Sequence, residues 1–287
     1  MKRLVYIWLS TFILSSGLGQ DLSCKLIENS PKTSQQLLQF LALTGSEEDS
    51  AILQSFDRLI ERLERVETRK KTDYAFLKAL FYRTHSGILK EYDRLATMNQ
   101  TLSNGKFGCL TGTAVYALLL EHFGYDYQII ELPNHVFIHL TVDDHSYVYE
   151  STLPMSGFRK TSVELEKLLE QPWVNHRRIS QLSTVGDWFE NFEVIPGQQY
   201  KTINLQQLAG LQYFNESVKH YLAKDYITAM EMVMTGYDLY PSERNEKLMQ
   251  LIINKILKYD MIKEEVKNQY LEKYVRFVKR QKISQTK

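Results

Sequence analysis

Neither sign of charge is in excess: 35 basic and 34 acidic residues leave a formal net charge of +1. A near-neutral chain carries no electrostatic footprint for nucleic acid or an anionic surface, so neither is expected as a partner. Thiols are scarce, with Cys24 and Cys109 the two cysteines. They could form one bridge at most, and both are read as free because Cys24 lies in a polar stretch near the amino end. Long apolar runs are missing after the first residues. A spanning helix needs about 20 apolar residues, so the mature chain is expected not to span a membrane. Disorder is excluded by composition, since 44% hydrophobic and 24% charged residues are ordinary for a globular protein.

What is present begins with Met1-Lys2-Arg3, an apolar stretch from Leu4 to Leu18, and small residues at Gly17 and Gly19. That order reads as a signal peptide over residues 1–19, cleaved near Gly19-Gln20, with an uncleaved anchor as the alternative. Either way the remainder is expected outside the cytoplasm, periplasmic or extracellular. Asp21-Leu22-Ser23 before Cys24 lacks the small-residue run of a lipid-attachment signal.

Residues 32–98 keep helical period. Leu37, Leu38, Phe40 and Leu41 open one stretch, and Ile52, Phe56, Leu59, Ile60 and Leu63 follow in a second that starts near Ser46-Glu47-Glu48. The charged run over residues 61–71 reads as a solvated helix face. Residues 74–98, with Phe76, Leu77, Leu80, Phe81, Ile88, Leu89, Tyr92 and Leu95, predict a further helix. Ser103-Asn104-Gly105 and Gly108 then supply turn chemistry, and Cys109 follows at the start of another helical pattern that ends at Gly124. Residues 127–132, 135–142 and 146–151 read as strands, with Pro133-Asn134 and Asp143-Asp144-His145 as turns. The expected class is α+β, a helix packed on a small antiparallel sheet.

Beyond Pro154, residues 162–170 predict a short helix, and Trp188 to Phe192 read as aromatic packing in a connector. The organisation is therefore a domain over residues 20–195 and a helical region over 196–287. Within that region, residues 205–241 resemble one tetratricopeptide repeat, through Tyr213, Ser217, Tyr221, Asp225, Tyr226, Ala229, Gly236 and Pro241. One such hairpin cannot bury its own face, so it must pack on the preceding domain or on the C-terminal helices. A structural buttress is the expected role, and docking of a protein partner is the other. The glycosylation patterns at Asn99 and Asn215 are read as chance.

Cys109, His135 and Glu150 form the candidate catalytic set. A thiol attacks as its thiolate, and unpaired N–H groups at a helix amino end favour negative charge there and can hold an oxyanion. His135, opening a strand, can act as base, and Glu150 near the end of the next strand can fix its tautomer. Such a sulfur is expected at the mouth of an open groove. Asn104 is the candidate for a second oxyanion donor. Metal is not expected: His135 and His139 lie about 13 Å apart along a strand, too far for one ion even with His145 nearby. No cofactor is implied.

Three blocks carry a family resemblance: Gly105-Lys106-Phe107-Gly108-Cys109-Leu110-Thr111-Gly112-Thr113-Ala114, Asn134-His135-Val136-Phe137-Ile138, and Tyr149-Glu150-Ser151-Thr152-Leu153-Pro154. Together they resemble the transglutaminase-like superfamily over residues 76–154. With the repeat-like hairpin, the whole chain is similar to exported bacterial proteins that join these two parts. The resemblance implies a papain-like fold, Cys109 as nucleophile, His135 as base and Glu150 as orienting acid, although aspartate is usual at that last place. It also implies acyl transfer from an amide, with hydrolysis of a peptide or peptide-like substrate expected first and amine transfer second. The alternative from another class is a noncatalytic protein-interaction module with a degenerate core.

Overall fold

A computed structural model describes residues 47–132, 135–162 and 200–285. The signal peptide expected at residues 1–19, Cys24, the stretch at residues 37–41, the turn expected at 133–134, the helix expected at 162–170 beyond Ser162 and the connector expected at 188–192 lie outside them. Among the described residues the chain is a mixed α+β structure of eight helices and a five-stranded antiparallel sheet, with a separate two-stranded pair.

Helix α1 (Glu47–Glu67) buries Ile52, Phe56, Leu59, Ile60 and Leu63 and leaves Glu61, Arg62, Glu64 and Arg65 exposed. Three-and-four spacing thus sorts the residues onto one wet and one dry side. Helix α2 (Asp73–Ile88) starts where the Thr72 hydroxyl accepts from the Ala75 N–H at 3.2 Å. It ends at Ile88, ten residues short of the helix that periodicity predicts over 74–98. The reason is a nonlocal pairing: β1 (Glu91–Tyr92) lies parallel to β2 (Lys106–Phe107). The N–H groups of Lys90 and Glu91 donate to the Gly105 carbonyl at 2.9 and 3.1 Å. Between these strands, α3 (Met98–Asn104) opens with a reciprocal cap between Thr97 and Gln100. It closes on Gly105 at φ +83, a conformation that costs glycine little.

Helix α4 (Cys109–His122) is buried from Cys109 to Leu120 on every side, as a helix apolar all round must be. It packs on the sheet, whose order is β6-β5-β4-β3-β7 from β3 (Tyr127–Leu132), β4 (His135–Val142), β5 (His145–Tyr149), β6 (Phe158–Lys160) and β7 (Lys201–Ile203). Asp143 and Asp144 both take positive φ, 51 and 58, in the tight β4–β5 hairpin. His145 already pairs with Val142, and β5 ends at Tyr149, so Glu150 is the first residue past the strand rather than a member of it.

Alternation divides the sheet. Ile129, Val136, Ile138, Leu140, Tyr147 and Tyr149 join the core around α4, while Ile130, Leu132, Phe137 and Val148 form a cluster on the other face. Tyrosines serve the core. Tyr149 and Tyr116, both fully buried, donate to the carbonyls of Leu77 at 2.6 Å and Phe81 at 3.0 Å, fastening α2 over the sheet and α4. Burial pushes both phenols well above their ordinary range, so they remain donors.

Helices α5 (Leu205–Leu222) and α6 (Tyr226–Leu239) make the expected antiparallel hairpin. Small residues permit the approach: a Cβ on Gly210 would sit 2.6 Å from the Tyr240 Cβ and 2.9 Å from the Gly236 carbonyl. The Ser217 hydroxyl donates to the Ala229 carbonyl at 2.7 Å. The hairpin packs both ways. Leu205, Leu208, Ala209 and Leu211 enter the sheet core, and Tyr226, Met230 and Val233 pack with α7 (Glu243–Lys258) and α8 (Glu264–Gln285). Strand β7, which the sequence division at 196 places in the helical region, belongs to the sheet. Buried Glu131 on β3 accepts from the Tyr240 hydroxyl at 2.7 Å and the Arg244 guanidinium at 2.5 Å, so the C-terminal part is tied to the sheet by a paired charge. Among the described residues no helix is long and apolar enough to cross a membrane.

Candidate active site

Gly108 fixes where α4 begins. A Cβ there would meet the carbonyl oxygens of Asp93 and Arg94 at 2.9 Å each, so only glycine lets the segment after β1 lie against the helix start. Its N–H donates to the Thr111 hydroxyl at 3.1 Å, and its carbonyl accepts the first intrahelical bond, from the Gly112 N–H at 2.9 Å. The N–H groups of Cys109, Leu110 and Thr111 therefore belong to the first turn, where no helical carbonyl can reach them. The thiol is carried by the first residue of that turn, as its position after Gly108 predicts.

His135 opens β4 and its ring hydrogen-bonds the Cys109 side chain. Its Nε2 lies 2.5 Å from Glu150 Oε2, leaving Nδ1 for the sulfur. The ring stacks beside Phe137 with centroids 6.3 Å apart. Burial alone would lower the imidazole pKa, but the Glu150 carboxylate and the Cys109 sulfur outweigh it and raise it to about 10. Glu150 shifts the opposite way. Its burial favours the neutral acid, yet His135 and the Thr152 hydroxyl and N–H hold it below the usual carboxylate range. Both directions describe one buried ion pair.

The extra methylene of glutamate is used. Glu150 Oε1 accepts from the Thr152 N–H at 3.0 Å and hydroxyl at 2.6 Å, while Oε2 reaches His135, so one side chain bridges its own turn and the imidazole. That turn is packed from two directions. A Cβ on Gly112 would fall 2.6 Å from both Ser151 Cβ and Oγ, and one on Gly157 would meet the Glu150 carbonyl at 2.1 Å.

All three sequence candidates thus converge. Access is narrower than the open groove expected, because Cys109 is 9% exposed and the His135 side chain 10%. Asn104 accepts from the Lys106 N–H at 3.2 Å through its carboxamide oxygen and so stabilises the turn into β2. Tyr92 is the neighbour that sequence reasoning missed, having been read as a packing residue of a longer α2. Pairing with Phe107 brings it beside the helix start, its ring 6.0 Å from that of Phe107. Tyr92 as a whole is 41% exposed, yet desolvation of its phenol, then the charges of Cys109 and Glu150, push it up to about 12, so it is a hydroxyl donor at neutral pH. A Tyr directly before an Asp-Arg pair carries no such signal by itself; the parallel β1–β2 pairing would have been needed.

Among the described residues no group of three or more His, Cys, Asp or Glu converges as a metal cage requires. Compared with known protein families, characterised proteins and solved structures, the chain finds no match.

Proposed function

We propose that this chain is a thiol-dependent acyl-transfer enzyme of the transglutaminase-like, papain-type kind, hydrolysing an amide in a peptide or peptide-like substrate. The observation that carries the reading is His135 held between the Cys109 sulfur and the Glu150 carboxylate. The resemblance of the three sequence blocks supports it.

The steps follow from the geometry. The step starts with the proton given up by Cys109 already on His135 Nδ1; the thiolate attacks the carbonyl carbon, and the displaced electron pair goes to oxygen. First-turn N–H groups of α4, that of Cys109 foremost, stabilise this oxyanion. The imidazolium then gives its proton to the leaving amine as the C–N bond breaks, leaving a thioester. Water, deprotonated by the imidazole, attacks the thioester; the sulfur leaves and the acid is released. An amine in place of water gives transfer, which is the second reaction this site supports. Glu150 stays ionised throughout and keeps Nδ1 available to the sulfur.

A noncatalytic interaction module is the second reading, favoured by the small exposure of the thiol. A thiol-reactive probe on the full mature chain separates the two. Fast labelling of Cys109 relative to Cys24, lost in His135→Ala, supports the enzyme, and equally slow labelling of both thiols supports the module. Profiling peptide libraries then identifies the bond. Export belongs to the same proposal, and N-terminal sequencing of secreted protein beginning at Gln20 tests it.

A further inference from the structure

The Glu150 carboxylate is aimed by its own turn. Oε1 is held by Thr152, so Oε2 faces His135 only while residues 150–153 keep their conformation. Contacts within the loop contribute: the Glu150 N–H donates to the Gly157 carbonyl at 2.9 Å, and the Leu153 N–H to the Glu150 carbonyl at 3.2 Å. The peptide between Ser151 and Thr152 is held from elsewhere. Its carbonyl, Ser151 O, accepts from Nε2 of His85 at 3.1 Å, across 66 residues of sequence.

His85 is an unusual choice for its place. It lies in the last turn of α2, 9% exposed, with its ring 5.6 Å from Phe107 edge-on and 6.1 Å from Phe81. A leucine would fill such a site without a desolvation cost, whereas a buried imidazole is retained where its N–H has a partner. Burial lowers its pKa, so the neutral ring with the proton on Nε2 is the form that meets the carbonyl. On its far side, Ser151 rests against the Cβ-free face of Gly112. The acid turn is thus clamped between α2 and α4.

We propose that His85 is a positioning residue for Glu150, donating to Ser151 O so that the carboxylate stays directed at the His135 imidazole. This rests on the thiol-site reading above. Loss of the donor lets the turn relax, weakens the Glu150–His135 pair and leaves the imidazole less firmly held against Cys109.

The test uses the full mature chain carrying Cys24→Ser, so that one thiol remains. Iodoacetamide alkylation at pH 7 is measured, together with the titration of the His135 imidazole by NMR. His85→Leu keeps the volume and removes the donor. It is expected to lower the alkylation rate about tenfold and the His135 pKa by about one unit, since one unit is a tenfold change in protonation equilibrium. His85→Gln, whose amide N–H can occupy the Nε2 position, is expected to restore both. In the Glu150→Gln background, His85→Leu is expected to add nothing, because the two act through one path. An unchanged His135 titration in folded His85→Leu, or an undiminished effect in the Glu150→Gln background, overturns the proposal. Slow alkylation of the parent Cys109 overturns the thiol-site reading, and this inference with it.

Discussion

Replacing Glu150 by Gln tests the core of the proposed chemistry with almost no change in shape. The amide oxygen can still accept from both Thr152 donors, which Glu150 Oε1 meets at 3.0 and 2.6 Å. The amide nitrogen must then face His135 Nε2, where the carboxylate oxygen lay at 2.5 Å. Two donors cannot share that contact, so the ring turns to the tautomer with its proton on Nδ1, toward the sulfur, and can no longer take the thiol proton. With the carboxylate gone, burial is left as the main influence on the ring, and its pKa should fall from about 10 to below 6.5. Without a base at Nδ1, alkylation of Cys109 should slow by up to about 10²-fold. Acyl transfer should suffer more, on the order of 10⁴-fold, as when the orienting acid of a serine protease triad is made an amide. Alkylation kinetics from pH 5 to 9 and NMR of the imidazole give both quantities. A Glu150→Gln protein that keeps the parent rate and the parent histidine titration would refute the assignment of Glu150 as orienting acid.

Three other perturbations probe the packing and charge around this site. Gly112→Ala places a Cβ about where Ser151 Cβ and Oγ already lie, 2.6 Å away, and is expected to cost about 1–3 kcal/mol of stability by denaturant titration while slowing Cys109 labelling. A parent-like midpoint would show that the α4 contact with the acid turn is loose. Arg244→Ala strips buried Glu131 of its cation and should cost about 3 kcal/mol, the low end for a broken buried pair because the arginine side chain is 35% exposed; Glu131→Gln should cost less, and equal losses would contradict the charge argument. The third concerns pH. His135 is raised, so its contribution is complete below its unfolded value of 6.5 and lost as pH climbs toward 10; Glu150 is lowered, so its contribution is complete above 4.5 and lost on acidification. The Tm advantage of the parent over Glu150→Gln should therefore peak between about pH 4.5 and 6.5 and shrink toward pH 10, and a constant advantage across that range would be inconsistent with the pair.

The sequence reveals those parts of the molecule that local periodicity and turn chemistry encode. Strands β3 and β4 begin and end where alternation puts them, and Gly108-Cys109 marks the start of α4 because a glycine entry followed by an apolar run is a local signal. The three site residues are legible for the same reason, each sitting at an element end. What fails is nonlocal. Leu89, Tyr92 and Leu95 continue the helical spacing of α2, yet the carbonyl of Gly105 and the edge of β2 claim that backbone instead. His85 has no motif at all, since its role is defined by a carbonyl distant in sequence. The narrowness of the site was equally hidden, because exposure of Cys109 depends on segments whose packing periodicity does not specify.

The placement of β7 bears on how this chain can be divided. A fragment stopping at residue 195 would leave β3 as an open sheet edge with unpaired backbone groups, an invitation to self-association. It would also remove both donors from Glu131 and the leucines of α5 from beneath the sheet. The histidine-bearing strand β4 pairs directly with β3, so damage at that edge would reach the His135 ring through one strand. The helical tail is thus part of what lets the thiol domain fold, and cooperative unfolding of the two together is the behaviour this connection demands.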